Sequence, residues 1–369
     1  MDPADNDERV ARALHHAGAL PPGASLAPPL VLTTAYVLPG DPQGEYQYAR
    51  WANPTWSALD AALEALEDAP VVTFPSGMAA IAAIFYGLLK AGDRILLPAD
   101  GYYTTRILAE RFLTPMGVTF ERVATAALGE TAFDGFRLVM IETPSNPGLD
   151  LADIRAVATR AKAAGAIVVV DNTMMTPLGQ RPLDLGADVA VCSDTKAVNG
   201  HSDVLFGHVA SREAAYLDPV RDWRRIAGAI PGPFEAWLVH RGIETLELRF
   251  ARMCDSALLL AQRLRGHRAV RAVAYPGLPE HPAHELARRQ MRGFGSVIGL
   301  TLADKTAAER FIGNCRYVRA ATSFGGLHTS AERRARWGDQ VPEGFVRLSV
   351  GCEPVEPLWR DLETALSGL

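Results

Sequence analysis

From about residue 55 onward, the apolar positions of the chain fall into two alternating patterns. The stretch 57–66 carries them at helical spacing, whereas 71–74 is a short unbroken apolar run that reads as a strand. An apolar helix over 77–89 closes at Ala91-Gly92, and a strand follows at 94–97. Helical spacing returns over 104–112, then strands over 118–123 and 138–141. A helix over 154–164 stops at Gly165, and strands follow at 166–170 and 189–192. Such alternation predicts an α/β fold, with a mostly parallel central sheet covered by helices on both faces.

The flanks read differently. The first 45 or so residues contain Pro21, Pro22, Pro28, Pro29, Pro39 and Pro42, so no long helix is expected there. Leu30, Val31, Leu32, Tyr36 and Val37 give this arm apolar surface to bury by wrapping over a partner. The Gly/Pro segment 230–233 reads as a hinge into a second domain. There a long helical stretch over 234–264 precedes strands at 270–275, 296–302 and 345–350, set between Arg-rich helices. The charged run 332–336 reads as the solvated face of one of these. The expected organisation is an arm over 1–50, a large domain over 51–232 and a smaller C-terminal α+β domain over 233–369. The chain has no internal repeat and no low-complexity tract.

Composition narrows the class. With 37 Lys plus Arg against 42 Asp plus Glu, the net charge of -5 gives no basic excess for nucleic acid. No apolar run approaches the ~20 residues that span a bilayer, and the acidic start MDPADNDERV does not read as a secretory signal. Cys192, Cys254, Cys315 and Cys352 form no close pair, which suits a reducing cytoplasm and excludes the usual zinc spacings. GxGxxG, GxxxxGK[ST] and HExxH are absent, and His281 and His284 lie in a Pro-containing loop. No metal site is expected.

Functional groups of parallel sheets collect at the carboxyl ends of strands. Four polar clusters stand there: Pro75-Ser76-Gly77, Glu142-Thr143-Pro144-Ser145-Asn146, Asp171-Asn172 and Ser193-Asp194-Thr195-Lys196. Ser76-Gly77-Met78 opens a helix, so its first amides suit an anion such as phosphate, or Ser76 is a plain N-cap. Asp171, after five apolar residues, needs a partner, either a protonated pyridine nitrogen or a turn with Thr173. Lys196 is either a solvated loop lysine or an amine made nucleophilic by desolvation, as a Schiff-base lysine must be. The clustering on one edge favours the second.

The run Ser193-Asp194-Thr195-Lys196-Ala197-Val198-Asn199-Gly200-His201-Ser202-Asp203 resembles the lysine motif of the Cys/Met-metabolism pyridoxal-phosphate family, and the likeness extends from about Tyr46 to Glu353. It implies fold type I, pyridoxal 5′-phosphate as cofactor, a small amino-acid substrate and a cytoplasmic homotetramer built from dimers with shared sites. It implies that Lys196 carries the cofactor and moves protons, that Asp171 pairs with the ring nitrogen, and that Tyr102 stacks on the ring. Ser76, Gly77, Met78, Ser193 and Thr195 become the phosphate cradle, with Tyr48 and Arg50 reaching the cradle of a neighbouring subunit. Asn146 falls near the ring hydroxyl. Arg347 becomes the clamp for the substrate carboxylate, beside Ser323.

The chain departs from the family pattern in places. His328 stands where many members have glutamate, and the loop after Tyr102 reads Tyr103-Thr104-Thr105 without a cysteine. Arg106 is near, but not at, an arginine that γ-lyases often carry. The segment 328–338 resembles a subgroup labelled cystathionine gamma-lyase. The implied activity is γ-elimination of L-cystathionine to cysteine, 2-oxobutanoate and ammonia. The alternatives are γ-replacement on an O-acyl homoserine, β-lyase or methionine-lyase activity, and a cofactor carrier without turnover. His328 is expected beside the distal end of the substrate.

Overall fold

The computed structural model describes residues 3–369. Its larger sheet contains β1 (Val71–Phe74), β2 (Arg94–Pro98), β3 (Thr119–Val123), β4 (Leu138–Glu142), β5 (Ile167–Asp171), β6 (Val189–Cys192) and β7 (Gly207–Ala210), in the order β1-β7-β6-β5-β4-β2-β3. All its pairings are parallel except those of β7, which runs antiparallel to both β1 and β6. Every residue of β4 and β5 is buried, which is why their sequences show no polar alternation. Strand β7 escapes the apolar pattern because Gly207 and His208 make up half of it.

Helices α1 (Pro3–Leu14), α2 (Pro54–Glu67), α3 (Gly77–Leu88), α4 (Tyr103–Leu108), α5 (Ile154–Ala163), α6 (Thr176–Gly179) and α7 (Ala214–Ala227) accompany this sheet. Ile84 and Phe85 of α3 and Leu217 and Val220 of α7 pack on one face, and Ile154, Val157 and Ala161 of α5 pack on the other. Helices α3 and α7 touch through backbone: a Cβ on Gly87 would meet the Pro219 carbonyl carbon at 3.1 Å.

The chain continues through α8 (Pro233–Ile243) and α9 (Leu246–Leu264), so the expected single stretch over 234–264 is broken at Glu244-Thr245. A second sheet follows, with β8 (Ala272–Ala274), β9 (Val297–Thr301), β10 (Arg319–Ala320), β11 (Ser330–Arg333) and β12 (Phe345–Ser349) in the order β10-β11-β12-β9-β8. Its pairings are antiparallel apart from β10 with β11. Helices α10 (His284–Gln290), α11 (Lys305–Asn314) and α12 (Val355–Ser367) complete the chain. Their core unites Leu260 and Leu264 of α9 with Phe311, Leu348 and Leu362.

Two expectations fail here. Residues 3–14 form a helix, because Pro3 stands at its first position, the next proline is Pro21, and Asn6, Arg9, Val10 and Ala13 share one face. That face packs on α2 of the same chain, with Arg9 donating to Asp184 and Arg181 to Asn6. From there to α2 the arm is open: Leu26, Leu32 and Val37 are among its exposed side chains. The run 332–336 is not a solvated helix either. It is the end of β11 and a tight 3-10 turn, with Glu332 and Arg334 buried. The charges pair with one another, so the run can leave water. No helix among the described residues is long and apolar enough to cross a membrane.

Candidate active site

A cavity of about 390 Å³ opens at the carboxyl ends of β1, β4, β5 and β6, where the second sheet faces the first. Ser76, Gly77, Met78, Tyr102, Asn146, Asp171, Ser193, Thr195, Lys196, Ser323 and Arg347 all line it. Residues far apart in the sequence meet here because parallel strands end on one edge.

One wall is the start of α3. Ser76 caps the helix, its Oγ accepting the Ala79 N–H at 3.1 Å. The first-turn amides of Gly77 and Met78 have no intrahelical acceptor, and the helix dipole makes this end attractive to an anion. Gly77 is required by contact: a Cβ there would sit 2.6 Å from Ser193 Cβ. Across this contact the Ser193 N–H donates to Thr173 Oγ1 at 2.8 Å.

Asp171 ends β5 and is buried. Its Oδ1 accepts the Thr173 N–H at 3.0 Å, and among the described residues it forms no ion pair. Burial raises its pKa, opposed by hydrogen bonds from Thr173 and by the Lys196 charge. Lys196 donates from Nζ to Ser323 Oγ at 2.7 Å, with the Phe324 ring 5.3 Å away. Burial, helped by the nearby Arg347 charge and opposed by Asp171, pushes the Lys196 amine down to about 8. Ser323 adopts φ +80°, a left-handed conformation costly for a residue with a Cβ.

Arg347 crosses the second sheet on β12. Its Nη1 donates to Asn146 Oδ1 at 2.7 Å, and its Nη2 to the Ser323 carbonyl and to Glu332 Oε2, both at 3.1 Å. Burial lowers its pKa to about 10, yet it stays protonated near neutrality. Glu332 is the hub behind it. Besides Arg347, it accepts from Arg334 at 2.8 Å, Arg336 at 2.8 Å and the Trp337 indole at 2.6 Å. Arg334 also binds Asp339 at 2.7 Å, and both Arg334 and Trp337 line the cavity.

Glu142, which opens the polar cluster after β4, is a site residue that neither its cluster nor the family resemblance singles out, although it ends its strand as Asp171 does. It is the register partner of Asp171 and accepts the Tyr102 N–H at 2.6 Å. Burial, reinforced by the Asp171 charge, raises its pKa well above the usual carboxyl range. Glu332 and Arg334 carry no local signal beyond the charged run 332–336, and Trp337 none beyond following it.

Three expected site residues lie outside this cavity. Tyr48 is exposed, and Arg50 stacks near it while donating to the Arg225 carbonyl at 2.6 Å. His328 is exposed and lines an adjoining depression that also reaches Lys196 and Ser323.

A family model described as Cys/Met metabolism PLP-dependent enzyme matches residues 13–367. A Streptomyces coelicolor protein provisionally named cystathionine gamma-lyase is 49% identical over 346 residues, covering 91% of this chain and 87% of the relative. The cystathionine gamma-synthase of Mycobacterium tuberculosis is 40% identical over 340 residues, covering 89% and 88%. The crystal structure of metB from Corynebacterium glutamicum superposes with a TM-score of 0.93 at 36% identity, over the full length of both chains.

Proposed function

The chain belongs to the Cys/Met-metabolism pyridoxal-phosphate-dependent enzyme family, and from that premise we propose that it cleaves the γ-carbon–sulfur bond of L-cystathionine. The products are cysteine, 2-oxobutanoate and ammonia. The class, a pyridoxal-phosphate-dependent carbon–sulfur lyase, follows from the family; the substrate and the residue roles are our reading.

The donor set fits the cofactor. Asp171 is a buried carboxylate on the cavity wall with no ion pair among the described residues, and a pyridinium N–H would supply one. The open amides at Gly77 and Met78, with Ser193 and Thr195 beside them, suit the phosphate. Gly77 also keeps that wall clear, since a Cβ would displace Ser193. Lys196 stands in the same cavity with an amine that is substantially neutral near pH 8. Pyridoxal phosphate, when bound, supplies an electron sink for negative charge at the substrate α-carbon.

The protein's own groups do the rest. Arg347 binds the substrate carboxylate through its guanidinium and so fixes the α-carbon over the ring. Asn146 and Glu332 hold that guanidinium from behind. Lys196 Nζ takes and returns protons at the substrate carbons, and Ser323 Oγ holds it between transfers. Tyr102, which lines the cavity with its backbone N–H held by Glu142, would stack on the cofactor ring. The single observation that carries this reading is the Lys196–Ser323–Arg347 chain, in which Lys196 Nζ donates to the Ser323 hydroxyl and Arg347 to its carbonyl, an arrangement that suits a proton carrier beside a carboxylate clamp.

The name of the Streptomyces coelicolor relative supports elimination, and that of the Mycobacterium tuberculosis relative supports γ-replacement on an O-acyl homoserine as the second reading. We also infer a cytoplasmic homotetramer, a division at about residues 50 and 232, and an open arm that brings Tyr48 and Arg50 to a neighbour's cavity. The exposed Leu26, Leu32 and Val37 support that use of the arm. The test is to incubate the purified protein with cystathionine, methionine, homocysteine, cysteine and O-acyl homoserines and to identify the 2-oxo acid. Release of 2-oxobutanoate from cystathionine alone is expected. Turnover that requires an added thiol would favour replacement, and a different 2-oxo acid would overturn γ-elimination.

A further inference from the structure

Next to the Lys196 turn lies a charged cluster that the proposed reaction does not use. His208 of β7 is fully buried and faces Thr73 of β1 and Cys192 of β6 in register. Its Nδ1 lies 2.9 Å from each oxygen of Asp194, and its Nε2 lies 3.0 Å from Glu67 Oε1. Both carboxylates are buried too. A neutral imidazole has one N–H and one lone pair. It could donate to one carboxylate, but would then turn its lone pair on the other. Against two ionised carboxylates, both contacts become hydrogen bonds only when both nitrogens are protonated. Burial opposes that charge, but Asp194 and Glu67 outweigh it and push His208 up to about 10.

The position of this ion triad matters. Asp194 stands between Ser193 and Thr195, two residues before Lys196, and its carbonyl accepts the Asn199 N–H at 2.9 Å, closing the turn. Phe206, next to β7, binds the same turn, donating its N–H to Thr195 Oγ1 at 2.9 Å. Gly207 presses on the start of α3 so closely that a Cβ would lie 2.8 Å from Gly77 Cα. Residues 206–208 therefore touch both the lysine turn and the helix start that frame the cavity. Cys192, Asp194 and His208 also bring a thiol, a carboxylate and a ring nitrogen within 4.8 Å of one another. Both ring nitrogens are already committed to carboxylates, which favours an ion triad over a metal site.

We propose that His208 is a positioning residue: through the contact of its Nδ1 with both Asp194 oxygens it anchors Asp194 and thereby sets the turn that presents Ser193 and Lys196 to the cofactor. This rests on reading Lys196 as the cofactor lysine. That reading fails separately, if Lys196→Ala keeps covalently bound cofactor.

The test uses the holoenzyme and its His208→Gln variant. Three quantities are read: release of pyridoxal phosphate into cofactor-free buffer, the pH titration of the bound cofactor's absorbance, and thermal unfolding. Glutamine is neutral and satisfies only one carboxylate, so release is expected about tenfold faster, with a displaced titration midpoint. Glu67→Gln keeps the Asp194–His208 contact. It should lower the unfolding temperature while leaving release within about threefold of the parent, a small fraction of the energy of a buried charged hydrogen bond. Should His208→Gln not fold, Asp194→Asn, which keeps the shape and removes the charge, carries the same expectation. Parent-like release with an unmoved titration in His208→Gln would overturn the proposal, as would equal release from the His208 and Glu67 variants. Stoichiometric transition metal in the parent protein would overturn it too.

Discussion

The two halves of the cavity are built on different principles. The half on the large sheet carries Asp171 and Lys196 at the ends of wholly apolar strands, with few ion pairs and with backbone contacts so close that Gly77 is needed. The half on the second sheet is a web of charge, with Arg334, Arg336 and Arg347 gathered on Glu332, and Asp339 behind Arg334. The first makes one amine reactive by taking it out of water. The second keeps a guanidinium charged out of water by surrounding it with acceptors. Desolvation can therefore serve opposite ends within one cavity, and the number of partners decides which.

The largest effect that would sharpen this contrast is at Lys196. Lys196→Ala should lower turnover by about a thousandfold or more, the scale of a lost proton carrier, with loss of the covalently bound cofactor's absorbance. In the parent apoprotein, covalent recapture of the cofactor should speed up as pH rises towards about 8 and level off above it, because only the neutral amine attacks. A rate still climbing near pH 10 would mean that the cavity does not desolvate the amine.

On the charged half, Arg347→Lys should lower kcat/KM about a hundredfold, chiefly through KM, since an ammonium cannot reproduce the fork that reaches Asn146, Ser323 and Glu332 at once. Steady-state kinetics would show it, and a change confined to kcat would break the assignment of Arg347 as a clamp.

Glu332→Gln leaves buried guanidiniums short of a carboxylate and should destabilise the fold by about 3–5 kcal/mol, read by denaturant unfolding. Burial alone would raise the Glu332 carboxyl, but hydrogen bonds from Trp337 and Arg334 and the charges around it hold it below its ordinary value. Its contribution is therefore fully present above the unfolded value of about 4.3 and is lost as pH falls through the folded one. The difference between parent and variant should shrink below that pH.

The smallest effect is expected at His328. Exposed and outside the main cavity, it should alter relative kcat/KM across sulfur amino acids by less than about tenfold on His328→Glu, as a rim charge does. A larger shift would mean that the adjoining depression receives part of the substrate.

The legibility of the site follows the same division. Asp171 and Lys196 stand out because apolar runs over 166–170 and 189–192 end abruptly in polar residues, a local signal that survives in one dimension. The same signal marks Glu142, whose place beside Asp171 depends on the parallel pairing of β4 with β5. Nothing local distinguishes the run at 332–336 from a solvated helix face. Its burial depends on β11 lying against β12, so that Arg347 meets Glu332 across fifteen residues of chain. The amphipathic spacing of the helix at 3–14 stands in the sequence, but the run of prolines from Pro21 onward dominates the pattern of the arm.

By itself, the sequence determined the α/β class and the edge of the sheet on which Asp171 and Lys196 stand. These are encoded by short-range contrast between apolar strands and the polar residues that end them. Tertiary structure alone decided which charges are paired, and hence which are buried. It put Glu332 behind Arg347, His208 between two carboxylates, and Tyr48, Arg50 and His328 outside the cavity. The physical reason is that an ion pair is a property of two segments brought together by the fold, whereas a strand end is a property of one.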